Sequence, residues 1–366
     1  CYERLLETGP DKINRVIYHY YLGHLYLEIG DKRVAKDYLI KGLAIVEYPA
    51  LRELLEEIDM GVQAPEERSK TENVVVSDRL VFNGTVPNWA DKAVRIMEQI
   101  EEWRGIQFTE KITITFQEAD NNAAGWYNYQ TKELVVGESE NARFSEGVML
   151  HEMYHALQDQ NFDLMKVVGD TDGTDSLKAV NALIEGEAML AVAELMDYDF
   201  LSHVQYGPDM TDEQFNQFFD YGEGMKFVTS IRESGGWDAV NKIYKAPPYS
   251  TKLILRPELY LSEINEPQVL TPPFKLRMSE QLLDIETKGA YGWMRFLVQK
   301  DIADRKTLID MYEEDQYITY RYQKTTHIRW RIGFANRFEA KVAEILLSNS
   351  TLHISRKGRW IEIYLK

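Results

Sequence analysis

The stretch HEMYHALQDQ, residues 151–160, contains two histidines four positions apart, His151 and His155, with Glu152 directly after the first. On an α-helix, residues i and i+4 lie one turn apart on the same face, so both imidazoles can be aimed at one point. Such a pair is a metal clamp, and a carboxylate beside it can act as general base on a metal-bound water. The stretch therefore predicts a helix with a metal centre, and the apolar FSEGVML before it predicts that the helix is seated in the core.

A third metal ligand is expected elsewhere in the chain, because catalytic zinc takes three protein ligands and keeps one position open. The only cysteine is Cys1, so the third donor should be a histidine or a carboxylate. Glu185 and Glu187 interrupt the apolar helix pattern VNALIEGEAMLAVAEL, where a charge is costly unless it is paired or ligated. Residues two apart point to different faces of a helix, so we expect only one to be a ligand. The alternative is a surface helix with exposed acids.

HExxH followed by EGEA resembles the gluzincin type of zinc metallopeptidase, in which a glutamate on the next helix completes the site. The similarity to the EGxA of gluzincin aminopeptidases implies Zn2+ as cofactor and Glu185 as third ligand, with Glu187 as the fallback. It also implies zinc-dependent hydrolysis of peptide bonds, with the metal-bound water activated by Glu152. The strings HEMYHALQDQNFDL, ALIEGEA and APPYSTKLILRPELYL are similar to a largely uncharacterised bacterial and archaeal family, often predicted as lipoproteins. This similarity covers about residues 75–366.

The segment NNAAGWYNYQ, residues 121–130, lies before the HExxH helix. In gluzincins the strand at this place commonly forms the upper edge of the cleft and pairs with an extended substrate, so the resemblance implies Gly125, Trp126 and Tyr127 as substrate-binding residues. A glycine permits close approach of a peptide backbone, and the two aromatic side chains would shape the pocket. The alternative is a plain hairpin with aromatic core residues.

Two supporting roles remain to be filled in such a site. An oxyanion donor is usually a tyrosine or histidine outside the zinc helices, and Tyr249 and His203 are the candidates. Ligating imidazoles normally donate their other N–H to an oxygen, which Asp159 or Gln158 could supply. The chain has 22 tyrosines, so the sequence alone does not single out the oxyanion donor.

Residues 1–68 carry the spacing of a tetratricopeptide-like repeat in YYLGHLYLEIGDKRVAKDYLIKGLAIV. One such repeat cannot bury its own apolar face, so we expect it to pack on a neighbouring element or to bind a protein partner. An ordinary helical hairpin is the alternative. The polar stretch MGVQAPEERSKTEN separates it from the rest of the chain.

Residues 72–366 predict an α+β fold, which we expect to be a zincin-like domain with a mixed sheet and the HExxH helix. Strand patterns occur in NVVVSDRLVF, KITITFQ and GWYNYQTKELVVGE, and again near the end in QYITYRYQ, THIRWRIGF and GRWIEIYL. Helical patterns cover about residues 88–103, 143–160 and 176–200, and most of the chain from residue 210 to the start of QYITYRYQ.

The formal charge of −17 argues against a nucleic-acid or anionic-lipid surface, which would need clustered Lys and Arg. A lone cysteine at Cys1 resembles the mature end of a bacterial lipoprotein and predicts an extracytoplasmic, lipid-anchored protein; the alternative is a chain boundary in a cytoplasmic protein. We expect a peptide or protein substrate. The alternative function is a catalytically silent, metallopeptidase-like interaction protein that binds a partner through the helical repeat.

Overall fold

The computed structural model describes residues 32–43, 52, 55, 73–75, 79–83, 90–118, 125–129, 131–138, 142–171, 173–262, 279–348 and 350–365. The chain divides into two compact units, Cys1–Val74 and Val75–Lys366. In the first unit the described helix is α1, Lys32–Leu43, whose Ala35 and Leu39 are buried at i, i+4 spacing. Most of the predicted tetratricopeptide-like segment lies outside the described residues.

The described part of the chain has mixed α/β structure with two five-stranded sheets, as expected for the α+β class. The strands are β1 (Asn73–Val75), β2 (Leu80–Asn83), β3 (Ile112–Glu118), β4 (Gly125–Tyr127), β5 (Glu133–Glu138), β6 (Gln281–Glu286), β7 (Tyr312–Tyr322), β8 (Thr325–Phe334), β9 (His353–Lys357) and β10 (Trp360–Leu365). The helices after α1 are α2 (Ala90–Arg104), α3 (Ala142–Phe162), α4 (Leu164–Gly169), α5 (Thr174–Leu195), α6 (Asp212–Gln217), a π-helix (Phe218–Glu223), α7 (Gly224–Ile243), α8 (Thr251–Leu255), α9 (Pro257–Leu261), α10 (Gly289–Gln299), α11 (Arg305–Asp310) and α12 (Arg337–Leu347), with a 3-10 turn at Leu201–His203. None of these helices has the length and apolar character needed to cross a membrane.

The first sheet has the strand order β1-β2-β3-β5-β4. Strands β2, β3 and β5 run parallel, and β4 is antiparallel to β5 at one edge of the order. The alternating β-branched residues of β3 bury Ile112 and Ile114 in the core, and Ile114 is in register with Leu134 of β5. The first sheet is therefore mixed, as the sequence predicted.

Helix α3 packs on β4 and β5 on one side and on α2 and α5 on another. It is buried along its central part, from Met149 to Asp159. Helix α5 is buried on all sides from Gly186 to Ala193, as expected for a helix that is covered by other elements. It ends at Leu195, earlier than the pattern to residue 200 predicted, and Asp197 just beyond has a left-handed backbone with φ 49°.

The second sheet is antiparallel, in the order β6-β7-β8-β10-β9. One side packs against α10 and α12, where Trp293 meets Trp330 edge to face at 5.7 Å. The patterns predicted β7, β8 and β10 but missed β6 and β9. Both are edge strands with mostly exposed side chains, so they lack the apolar alternation that marks a half-buried strand.

Candidate metal centre

Helices α3 and α5 bring three side chains together at one point. The Nε2 atoms of His151 and His155 lie 3.0 Å apart. The Oε2 atom of Glu185 lies 3.0 Å from Nε2 of His151 and 3.2 Å from Nε2 of His155. His151 and His155 are almost fully buried, and Glu185 retains some exposure. These three residues form a group that could hold a metal ion.

The chemistry of the donor set fits a cation. Two imidazole nitrogens with lone pairs 3.0 Å apart repel each other unless a proton or a metal ion lies between them. Ligand atoms that each lie about 2.1 Å from a tetrahedral ion are about 3.4 Å from one another, close to the spacing of these three atoms. The site therefore needs only a small adjustment to accept a metal ion.

The electrostatics of the group point the same way. Burial by itself would lower the pKa of His155, but the negative charge and hydrogen bond of Glu185 raise this pKa to about 9. Burial would raise the pKa of Glu185, and the charges and hydrogen bonds of His155 and His151 hold it well below its usual value instead. The pair therefore keeps an ionised carboxylate beside a proton that a metal ion could replace.

Glu152 follows His151 on α3, on the side of this helix that faces strand β4. It is 9% exposed. Gly125 of β4 packs so closely that an added Cβ would come within 2.6 Å of Val148 Cγ1, 2.8 Å of the Val135 carbonyl oxygen and 3.3 Å of Glu152 Cγ. Only a glycine therefore allows this strand to lie directly against the helix at Glu152.

The other two residues of β4 occupy different places. Alternate residues of a strand face opposite sides, so Trp126, 39% exposed, points away from the side that meets Glu152. Tyr127 is buried, and its hydroxyl donates to Oδ2 of Asp159 at 3.0 Å. Of the three predicted substrate-binding residues, Gly125 lies beside Glu152, while Tyr127 belongs to the packing between strand and helix.

The two glutamates of the EGE sequence face different surroundings, as their spacing predicted. Glu187 is fully buried and forms an ion pair with Arg104, with 2.7 Å between Oε1 and Nε. Tyr154 donates to the same carboxylate at 3.0 Å, and Tyr244 donates to its other oxygen. The fallback ligand is therefore occupied by other partners in the core.

The glycine between these glutamates allows a close helix crossing. A Cβ at Gly186 would come within 2.1 Å of the carbonyl carbon of Gly224, and a Cβ at Gly224 within 1.9 Å of the Ala182 carbonyl oxygen. The start of α7 and the end of the π-helix therefore touch α5 backbone to backbone beside Glu185. The only sequence features at this crossing are the glycines of EGE and GEG, which do not by themselves predict that the two segments meet.

Of the two imidazoles, only that of His155 has a hydrogen-bond partner at Nδ1 among the described residues, and this partner is Gln158. Its Oε1 lies 2.9 Å from Nδ1 of His155. Nδ1 of His151 is buried and has no hydrogen-bond partner among the described residues. Asp159 accepts instead from Tyr127, from Lys132 and from the backbone N–H of Leu164.

The two candidate oxyanion donors have other neighbours. His203 is exposed, its Nδ1 lies 2.8 Å from the carbonyl oxygen of Asp199, and its ring stacks on Tyr198. For Tyr249, burial followed by the charges of Asp175 and Glu313 raises the pKa.

Tyr221, which sequence reasoning missed, lies against the metal group. Its ring centroid is 5.4 Å from that of His151. Burial, then the charges of Glu185 and Glu152, raise the pKa of its hydroxyl far above the usual value, so the hydroxyl keeps its proton and can donate it. The residue lies in the π-helix, a rare turn that is frequent at functional sites and that no sequence pattern indicated.

Comparison of the chain with protein-family models, with curated proteins and with solved structures finds no match. The features that bear on function are therefore those of the site itself: a group of two histidines and a glutamate that could hold a metal ion, a buried carboxylate beside it, and a tyrosine whose ring lies against His151.

Proposed function

We propose that this protein is a zinc-dependent peptidase with a zincin-like domain. The observation that carries the proposal is the convergence of ligand atoms of His151, His155 and Glu185 within 3.2 Å of one another, with Glu152 beside His151 on helix α3. The resemblance of HExxH and EGEA to gluzincins agrees with this arrangement. The mixed sheet, with the antiparallel edge strand β4 lying on the HExxH helix, is also what a zincin-like fold would have.

Two imidazoles and one carboxylate are a donor set typical of catalytic zinc, because they leave a fourth position open. When bound, zinc supplies a Lewis acid that polarises a carbonyl group and lowers the pKa of a water molecule. Neutral histidines and an ionised glutamate are needed to hold it. The low pKa of Glu185 meets the second of these needs, and metal binding would displace the proton that His155 shares with it.

Glu152 would act as the general base. Its carboxylate takes a proton from the attacking water and returns it to the nitrogen of the leaving amine. Strand β4 lies against the side of α3 that carries Glu152, where a Cβ at Gly125 would come within 3.3 Å of Glu152 Cγ. Strong burial removes competing bulk water from the carboxylate.

Tyr221 would donate its O–H to the carbonyl oxygen of the scissile bond, where negative charge develops. Three observations support this role: its ring contacts His151, both Glu185 and Glu152 lie close enough to influence its pKa, and that pKa stays above any working pH. We prefer Tyr221 to Tyr249 and His203 because of these contacts.

Strand β4 would bind the substrate. It lies at the edge of its sheet among the described strands, and it crosses α3 at Glu152. An extended peptide that adds a strand to β4 would run past the metal group, with its backbone held by main-chain hydrogen bonds. The tetratricopeptide-like segment of residues 1–68 would recruit a protein substrate or partner.

Metal content is the first test. Protein purified without chelators or a metal-affinity tag should contain about one zinc per chain by elemental analysis, and the His155→Ala variant should contain none. A folded wild-type protein that lacks zinc and takes up none when zinc is added would contradict the proposal.

Cleavage is the second test, and it separates the enzyme from a silent metal-binding protein. Glu152→Gln keeps the size of the side chain but not its basicity, so it should retain zinc and lose cleavage of a peptide library by a factor of 100 or more, on the order of a general base's contribution. Tyr221→Phe should retain zinc and lose about 10- to 1000-fold in kcat. Equal cleavage by wild type and Glu152→Gln would rule out this mechanism.

A further inference from the structure

The ion pair of Arg104 and Glu187 lies in the core behind the metal group. Arg104 is 1% exposed and Glu187 is fully buried. Removing two charges from water is expensive, and a buried ion pair often stabilises a fold no better than apolar residues of the same volume. Its presence two residues from Glu185 therefore suggests a role other than stability.

Gln158 connects this ion pair to the metal group. Its Nε2 lies 3.0 Å from the carbonyl oxygen of Ile184, 3.1 Å from Oε2 of Glu187 and 2.7 Å from the hydroxyl of Tyr244. The first two of these partners can only accept hydrogen bonds, since the guanidinium of Arg104 pairs with Glu187 as a carboxylate. The amide of Gln158 must therefore turn its NH2 group towards Glu187.

The opposite end of the same amide fixes His155. With the NH2 group committed to Glu187, the carbonyl Oε1 faces Nδ1 of His155 at 2.9 Å. A carbonyl oxygen only accepts, so Nδ1 of His155 must carry the proton. A neutral imidazole protonated at Nδ1 has its lone pair on Nε2, the atom that points at His151 and Glu185.

We propose that Glu187, held by Arg104, is a positioning residue that, together with the carbonyl oxygen of Ile184, sets the tautomer of His155 through Gln158, so that Nε2 of His155 is free to bind a metal. This inference rests on the metal site of the proposed function. It assigns a role to the second glutamate of EGE that is neither ligand nor catalyst. His151 has no such partner at Nδ1 among the described residues, so only the tautomer of His155 is fixed in this way.

The Glu187→Gln variant removes one of the two acceptors that hold the amide of Gln158 and keeps the size of the side chain. A glutamine at this position can keep its oxygen at Arg104 and present its NH2 group to Gln158. The carbonyl oxygen of Ile184 then still favours the present orientation of Gln158, whereas the new NH2 group favours the flipped amide, which offers its own NH2 group to His155. Nδ1 of His155 would then accept, and the proton would move to Nε2, the metal-binding atom. We expect zinc affinity to fall 10- to 100-fold, the usual effect of losing such an indirect partner.

Tyr154→Phe is the matched control. It deletes another hydrogen bond to the same carboxylate, at the oxygen that Gln158 does not contact, and leaves the amide of Gln158 as it is. It should weaken the fold without changing zinc affinity. Zinc affinity is measured on the full chain by competition with a chromogenic chelator, alongside urea unfolding of each metal-free variant.

The tautomer itself is read from 15N NMR of histidine-labelled, metal-free protein at a pH where His155 is neutral. Wild type should carry the proton on Nδ1 of His155, and Glu187→Gln should give a mixture or the Nε2 form. A wild type with the proton on Nε2 would overturn the inference even if Glu187→Gln fails to fold.

The inference also fails if Glu187→Gln binds zinc as tightly as wild type while losing as much stability as Tyr154→Phe. These results are separable from failure of the proposed function. A wild type that binds no zinc refutes the metal site, and the NMR measurement still decides whether Glu187 sets the tautomer.

Discussion

Helix α5 carries two groups of carboxylates whose surroundings differ in one respect. In the middle of the helix, Glu185 and Glu187 face positive partners, the histidines on one side and Arg104 on the other. In the first turn, Asp175 accepts hydrogen bonds from the backbone N–H and the hydroxyl of Thr251. Burial and the negative charge of Asp315 raise the pKa of Asp175. Burial is common to both groups, but only one has cations at hydrogen-bond distance.

The pKa values follow from this difference. The histidines hold the pKa of Glu185 below its usual value, whereas burial and the charge of Asp315 raise the pKa of Asp175 to about 7, against the opposing effect of the Thr251 hydrogen bonds. The middle of the helix therefore presents negative charge at neutral pH, as a metal site requires. The first turn instead joins α5 to α8 and α10, because Asp175 accepts from Thr251 and the Thr251 hydroxyl accepts from the N–H of Tyr291.

The largest effect is expected from removing the cation at the middle of the helix. Arg104→Met leaves Glu187 buried without its ionic partner, which should lower the free energy of unfolding by about 3–5 kcal/mol. Urea unfolding of the metal-free protein at pH 7 measures this loss. Arg104→Lys keeps a charge and should lose less. An unchanged unfolding midpoint for Arg104→Met would mean that the ion pair does not hold the middle of the helix.

Gly186→Ala should cost about 3 kcal/mol, because its Cβ would overlap the backbone of Gly224 and force α5 and α7 apart. The same movement would displace Glu185 and weaken zinc binding. Gly207→Ala is the matched control, since an added Cβ there has no atom within 4 Å. It should change stability by no more than about 0.5 kcal/mol. Similar unfolding curves for the two variants would contradict the tight crossing.

The contribution of Asp175 to the free energy of unfolding should change with pH in the opposite direction from that of an ordinary ion-paired acid. A folded-state pKa of about 7 for Asp175, above the value near 3.9 in the unfolded chain, means that its contribution to stability falls as pH rises from about 4 to 7 and is constant above. Asp175→Asn keeps an oxygen that can accept from Thr251 and has no charge to bury. Relative to wild type, it should gain roughly 2 kcal/mol between pH 5 and pH 8.

Chemical unfolding of both proteins across this pH range measures the difference. Glu344 is a suitable reference for the opposite sign, because hydrogen bonds from Lys341 and Arg356 lower its pKa. A difference between Asp175→Asn and wild type that stays constant from pH 5 to pH 8 would show that Asp175 is not the titrating group.

The smallest loss of stability is expected at Thr251, the uncharged residue that donates a hydrogen bond to Asp175. Thr251→Val keeps the shape of the side chain but removes the hydroxyl that donates to Asp175 and accepts from the N–H of Tyr291, at a cost of about 1 kcal/mol. The cost should be smaller for Thr251→Ser, which keeps the hydroxyl. Thermal unfolding at pH 7 and pH 5 compares the two variants. Equal stability of Thr251→Val and wild type would show that the hydroxyl contributes nothing to this junction.

Much of the candidate site was predictable because its spacing is local. His151, Glu152 and His155 share one helical turn, and Glu185 stands out as a charge in an apolar helix. Tyr221 could not be found in this way, because a π-helix and a glycine crossing bring it to the site from 36 positions beyond Glu185. The resemblance to gluzincins implies Trp126 as a substrate-binding residue, and the alternation of strand β4 places it on the side opposite to the one that meets Glu152.

By itself the sequence determined the helix with its pair of histidines, the main strands along the chain and the EGE segment that carries the third candidate ligand, since helical and strand periodicities follow from neighbouring residues. Only the tertiary structure decided the partners of Glu187, the placement of Tyr221 beside His151 and the difference between the two carboxylate groups of α5. Those properties depend on which side chains from distant segments share a buried space, and electrostatic effects there are set by distance in space rather than by distance along the chain.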